Sequence, residues 1–189
     1  MPRTHRGTHA TRTWPGREVA VSRVLPLSAT EAFTLLVDLR HHVRWIPWTR
    51  VAVPPGPPVR GAVVVAVSGP FARQGAPGIV DRMRIDRLDP PGDGPGVAVF
   101  TKLGPVLAGE ARIVVSGLGA HRSRVTWSER VHLAGPVPAG MLVAPVLRLM
   151  LRAALTRVAR EVDDRRRHHH AHGNAGPHNE SPHTQVFTQ

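Results

Sequence analysis

Val21-Ser-Arg-Val-Leu-Pro-Leu-Ser-Ala-Thr-Glu-Ala-Phe33 changes its hydrophobic period in the middle, and it runs on to Val37-Asp-Leu-Arg-His-His-Val-Arg-Trp-Ile-Pro-Trp48. The first half completes a strand over Glu18–Leu25, where Val19 and Val21 alternate with Ala20 and Ser22. Ser28 and Glu31 then stand three apart, the spacing at which a hydroxyl and a carboxylate each satisfy the other residue's backbone amide. Phe33, Leu36, Val37 and Arg40 follow at helical spacing, which predicts a helix from about Ala29 to Leu39. A second short helix, His41 to Ile46, stops at Pro47, because proline disfavours the helical conformation at the residue before it.

Toward the C-terminus the period shortens again. Pro54–Pro58, Gly69-Pro70, Gly75–Gly78 and Pro90–Gly96 separate β-branched runs at Gly61–Ser68, Ile79–Leu88, Val97–Leu103, Glu110–Gly117 and Ser123–Leu133. No helical pattern intervenes, so the runs predict an antiparallel meander. A hairpin symmetric about Val106 would pair Lys102 with Glu110 and Phe100 with Arg112. The last predicted element is a helix from Pro145 to about Asp163. Leu147, Leu151, Ala154, Leu155, Val158 and Val162 share one face, while Arg148, Arg152, Thr156 and Arg160 occupy much of the remainder.

The two ends differ from this interior. Residues 1–17 hold four Arg, no acid and no apolar periodicity. Residues 165–189 are polar, rich in His and interrupted by Gly and Pro. Both are predicted to be disordered tails flanking one domain at 18–164, since such compositions cannot bury enough surface to offset ordering entropy. The chain has 189 residues, a formal charge of +12 and no Cys, which excludes disulfides, thiolate metal sites and a cysteine nucleophile. Its longest apolar stretches are too short to span a bilayer and no secretory signal is visible, so a cytoplasmic protein is expected. The basic excess is nearly all Arg and matches an overall Ala, Gly, Val and Pro enrichment, so it is read as compositional rather than as a nucleic-acid surface.

Strand, two helices, antiparallel meander and long amphipathic helix is an α+β, helix-grip order. The segments Val21–Phe33 and Val37–Trp48, together with Gly109-Glu-Ala-Arg-Ile-Val-Val, Arg124-Val-Thr-Trp-Ser-Glu-Arg-Val and the closing helix, resemble the START-like SRPBCC superfamily. The nearest resemblance is to its polyketide cyclase/dehydrase-like branch from actinobacteria. The likeness covers about residues 18–164. It implies a curved sheet wrapped around the C-terminal helix, with a cavity between them for a hydrophobic small molecule such as a polyketide, lipid or isoprenoid. Two alternatives stand beside this: a polyketide aromatase/cyclase or dehydratase using the same cavity, and a basic interaction module for RNA or an acidic protein. The fold alone does not choose among them.

By strand parity, Val125, Trp127, Glu129 and Val131 point inward, with Val97, Val99, Thr101, Ala111, Ile113, Val115, Met83 and Ile85. A cavity lined by Met83, Trp127, Leu147, Met150, Leu151 and Ala154 suits a flat or flexible apolar ligand, with Trp48 at its entrance. The same residues would equally pack a closed core, since periodicity does not reveal a void. Glu129 is the candidate catalytic group, because a carboxyl buried among apolar neighbours has its pKa raised toward the range of a general acid or base. A salt bridge to Arg112 or Arg84 would account for it as well. Trp45 reads as packing beneath the sheet, and His41 and His42 as a solvated helix start without a third ligand. The cluster His168, His169, His170 and His172, with His178 and His183, could hold transition metals only loosely, so no stable metal is expected. No dinucleotide fingerprint, Walker A loop, nucleophile elbow or H-E-x-x-H occurs, and no cofactor is expected. Tyr is absent, which removes the phenol as a proton donor.

Overall fold

The computed structural model describes Trp14, residues 16–133 and residues 140–173. The expectations for the outer parts of both tails lie outside these. Strand β1 (Glu18–Leu25) leads through the Ser28 cap into helix α1 (Ala29–Val37). The cap is reciprocal: the Glu31 amide donates to Ser28 Oγ at 3.2 Å and the Ser28 amide to Glu31 Oε2 at 2.8 Å. Asp38 caps a single 3-10 turn, Leu39–His41, and α2 (His42–Trp45) follows.

The remaining strands are β2 (Thr49–Ala52), β3 (Val63–Ser68), β4 (Ile79–Asp89), β5 (Gly96–Leu103), β6 (Leu107–Gly117) and β7 (Ser123–Leu133). They form one antiparallel sheet in the order β1-β7-β6-β5-β4-β3-β2. The first strand thus closes against the last, while the others follow the meander. The curled sheet holds helix α3 (Gly140–Gly173) against its inner face, the helix-grip architecture the sequence implies.

The six residues of the predicted α3 stripe are all buried. The helix itself is longer than its apolar pattern. It starts ahead of Pro145 and continues ten residues past Asp163, so the change of composition at residue 164 does not end it. Pairs one turn apart support the extension: Arg165 to Glu161 at 2.6 Å and Arg167 to Asp164. Arg166 also donates to the Pro26 carbonyl at 3.0 Å.

Two expectations about the sheet are corrected. Strand β2 is not among the runs read from the sequence. Its four residues lie between Pro47 and Pro54 and are held by pairing with β3. The β5–β6 hairpin is displaced by one residue from symmetry about Val106. Gly104 adopts φ +74° and its amide donates to the Leu107 carbonyl at 2.9 Å, so Pro105 and Val106 sit at the centre of the turn. Lys102 consequently faces Gly109, Thr101 faces Glu110 and Phe100 faces Ala111. A one-residue slip turns a strand over. Gly96, Ala98, Phe100 and Lys102 therefore share the inner face with Ile113 and Trp127, and Val97, Val99 and Thr101 face outward. No helix among the described residues is long and apolar enough to cross a membrane.

Candidate functional site

The turned-over β5 puts the chain's single lysine inside. Lys102 pairs across the sheet with Met83, and Asp81 lies two residues from Met83 on the same face of β4. Glu129, on β7, lies opposite Ala111, which in turn lies opposite Phe100. Strands β4, β5 and β7 thus bring one ammonium and two carboxyls together. Lys102 Nζ donates to Asp81 Oδ2 and lies 3.5 Å from Glu129 Oε2. Lys102 is 5% exposed and Glu129 4%. Glu129 is inward and buried, as strand parity predicts. Its partner is not the expected Arg112 or Arg84, which pair instead with Glu110 and Asp86.

Burial pushes the Glu129 carboxyl above its ordinary value, and the Asp81 charge adds to that. The Lys102 ammonium opposes the shift without cancelling it. Burial alone would lower Lys102, but the facing Glu129 and Asp81 outweigh it and the net shift is upward. One cation serves two carboxyls, so its pull on Glu129 offsets burial only in part.

Two buried polar atoms of this cluster have no hydrogen-bond partner: Asp81 Oδ1, an acceptor, and Trp127 Nε1, a donor. The Trp127 indole is near enough to Glu129 to favour its anion yet completes no hydrogen bond with it. The other face of Trp127 is supported by His42, whose ring centroid lies 5.1 Å away, and His42 packs in turn on Trp45 at 5.4 Å. His42 is buried and donates Nε2–H to the Leu36 carbonyl at 2.9 Å, which corrects the solvated role expected for it. Adjacency to His41 hid this, because only the packing of α2 separates the two. Glu161 of α3 fixes that packing: it accepts from Trp45 Nε1 at 2.7 Å and pairs with Arg44 at 2.9 Å.

The other predicted site residues divide into two groups. Trp127, Leu147, Leu151 and Ala154 are buried in one core cluster, and Met83 and Met150 pack against it while half-buried. Trp48 stands apart, 69% exposed at φ +53° just before β2. It belongs to an apolar rim. Phe71, Ile79, Leu103, Val106 and Leu149 are also exposed, and topology places them at the end of the sheet where β4 begins, β5 turns into β6 and α3 starts. Lys102, Asp81 and Glu129 lie toward this same end of their strands. Of the site, sequence reasoning missed Lys102, Asp81 and His42. The lone lysine in an Arg-rich chain was the available signal.

No family model and no curated protein matches this chain. Solved structures do. The Zhui aromatase/cyclase from a Streptomyces species superposes with a TM-score of 0.60 at 18% identity, covering 79% of this chain and 94% of that one. Norcoclaurine synthase from Thalictrum gives 0.56 at 12%, covering 79% and 96%. A START superfamily protein from Mycobacterium smegmatis gives 0.53 at 16%, covering 79% and 97%. The chain has the START-like, helix-grip fold. At these identities the likeness establishes fold and leaves activity to the residues themselves.

Proposed function

We propose that this chain binds a hydrophobic small molecule, of polyketide, lipid or isoprenoid kind, between the sheet and α3. The observation that carries this reading is the partial exposure of inward residues on both walls. Met83 and Asp81 from the sheet and Met150 from the helix retain solvent contact, although Met83 and Met150 pack on the core cluster. Two walls meeting side chain to side chain would seal those positions. Exposed Trp48 and Leu149 then border an entrance, and methionines suit a guest of adaptable shape. A two-ring aromatic guest burying about 200 Å² would gain roughly 5 kcal/mol before ordering costs. Titration with N-phenyl-1-naphthylamine tests this. Saturable one-to-one binding is expected, and Met83→Trp, which fills the space, is expected to weaken it roughly tenfold. Absence of saturable binding, or an unchanged affinity in the filled variant, refutes the reading.

A second reading, a cyclase or dehydratase, is favoured by Glu129 alone: a buried carboxyl beside an ammonium, its pKa pushed above the ordinary carboxyl value by burial, is the kind of group that serves as a general acid or base. With no tyrosine in the chain, Glu129 and Lys102 would have to carry the chemistry. Glu129→Gln is then expected to reduce turnover of a poly-β-ketone substrate about 100-fold while leaving guest affinity near wild type. A variant that turns over at the wild-type rate removes Glu129 from the mechanism.

A further inference from the structure

One end of the molecule carries apolar side chains that its own packing does not use. Thr49, Ser68 and Ile79 form one row across β2, β3 and β4. Trp48 precedes the first of them and Phe71 follows the second by three residues, so both sit at one corner with Ile79. Trp48 is 69% exposed and Phe71 71%, and these are the exposed aromatics among the described residues. Their φ angles are +53° and +60°, a region that bulky side chains rarely adopt and from which neither ring gains packing. The surrounding bonds fix that conformation. The Gly69 amide donates to the Trp48 carbonyl at 3.0 Å, and the Gln74 and Ala76 amides donate to the Phe71 carbonyl at 2.9 and 3.2 Å. Arg50 donates to the Ala72 and Ala76 carbonyls at 3.1 and 3.2 Å, and Arg73 to those of Val43 and Ile46. Two guanidinium groups thus brace loops whose aromatic rings stay in solvent. The β5–β6 turn adds exposed Val106 at this end, and the start of α3 adds Val146 and Leu149. Exposed apolar clusters of this kind mark contact surfaces.

We propose that this rim docks the protein on an anionic lipid bilayer, with Trp48 and Phe71 entering the layer between headgroups and acyl chains. The inference is separate from the chamber reading, since it needs no guest. Charge favours this occupant. The acids toward this end, Glu18, Asp81, Glu110 and Glu129, each face a cation: Arg130, Lys102, Arg112 and Lys102 again. Arg82 on β4 and Arg148 on α3 remain exposed, and among the described residues no acid pairs with either. The loop at 69–78 and the turn at 104–106 contain no acid. The chain enters β1 at this end, and residues 1–17 carry four Arg and no acid. Asp89, Asp93 and Asp163 lie toward the opposite end. A second copy seated on the same rim would set one positive end against another. Anionic headgroups complement those cations while the rings leave water. Side chains as exposed as Trp48, Phe71 and Leu149 project from the surface, which suits insertion into a fluid layer.

Co-sedimentation of the full-length protein with vesicles tests this, using phosphatidylcholine alone and phosphatidylcholine mixed with an equal part of phosphatidylglycerol. Binding to the mixed vesicles is expected to be at least about tenfold tighter than to phosphatidylcholine, and to weaken in high salt. Trp48→Asn combined with Phe71→Asn removes both rings and suits the left-handed backbone. This double variant is expected to fold as wild type does and to bind mixed vesicles at least about tenfold more weakly. Leu118→Asn removes an exposed apolar side chain from the β6–β7 turn at the opposite end and is expected to bind as wild type does. Trp48→Phe keeps an apolar ring, so it is expected to bind yet to lose most of the quenching that brominated lipid exerts on wild-type tryptophan emission. If the double variant fails to fold, that quenching decides. Absence of binding to mixed vesicles, equal binding to both compositions, undiminished binding by the folded double variant or quenching that survives Trp48→Phe overturns the proposal. Self-association that the double variant loses, without vesicle binding, overturns it in favour of a second copy on the rim.

Discussion

Lys102→Met is expected to lower folding stability by about 3–5 kcal/mol, the loss associated with removing one partner of a buried ion pair. The methionine fits the space and replaces much of the lysine stem's packing, so the loss arises from the carboxyls left behind. Asp81 and Glu129 would share a buried site with no cation between them, and Asp81 already has an oxygen without a partner. The pH dependence identifies this cause. With Lys102 gone, the group that holds the Glu129 pKa down is gone, and that pKa rises further above its ordinary value. In the variant, the folded protein therefore binds a proton that the unfolded chain releases. Its stability is greatest below the ordinary carboxyl range and falls as pH rises through the new Glu129 pKa. Chemical denaturation of wild type and variant from acid to neutral pH should show the gap widening upward. A gap that is constant with pH would assign the loss to packing. Replacing all three charged groups with apolar residues of similar volume is expected to recover most of the loss, since buried ion pairs are often neutral against such replacements.

That cluster also shows where sequence reasoning stops. The switch from period two to helical spacing at Ser28, the capping pair and the α3 stripe are local signals, and each appears in the structure where it was read. The hairpin register is not local in the same sense. Val97-Ala-Val-Phe-Thr-Lys102 has apolar residues on both faces, and all six positions are buried or half-buried, so alternation offers no guide to which side faces the helix. The register then depends on a turn at Gly104–Leu107, and an error of one residue there moved Lys102 outward and Thr101 inward. β7 escaped this because Trp127 and Val125 alternate with Thr126 and Arg124, which fixed the parity of Glu129. The inward position of Glu129 was legible; its cation, carried on the ambiguous strand, was not.

The same limit applies to α2, where the sequence offers two adjacent histidines and the fold buries one of them deeply. His42 lies among Trp45, Trp127 and the Leu36 carbonyl, and burial, with help from His41 and Lys102, outweighs the pull of that carbonyl and of Asp38. Its pKa is held down to about 4. A free imidazole titrates near 6.5, so between those values the unfolded chain binds a proton that the folded protein refuses. The contribution of His42 is thus fully present above pH 6.5 and is lost as pH falls toward 4, amounting to about 3 kcal/mol over that window. His41, also lowered by burial, acts in the same direction, whereas the raised Glu129 acts oppositely above the ordinary carboxyl value. His42→Phe separates them. It retains an aromatic ring between the two tryptophans and gives up the hydrogen bond to Leu36, so it is expected to be less stable than wild type at pH 7. Its stability should then fall less than that of wild type from pH 6.5 to 4, since His41 and Glu129 remain and only the His42 contribution is gone, and the two curves should converge or cross as the wild type weakens. Denaturant titrations at half-unit steps of pH give both curves. Parallel curves would mean that His42 takes up its proton as readily in the folded protein as in the unfolded chain, and the stack behind Trp127 would then be charged below about pH 6.5. The folded protein keeps His42 neutral down to about pH 4, so under the proposed binding reading guest affinity is expected to hold through the window in which stability falls and to drop only below it, where a cation forms against Trp127.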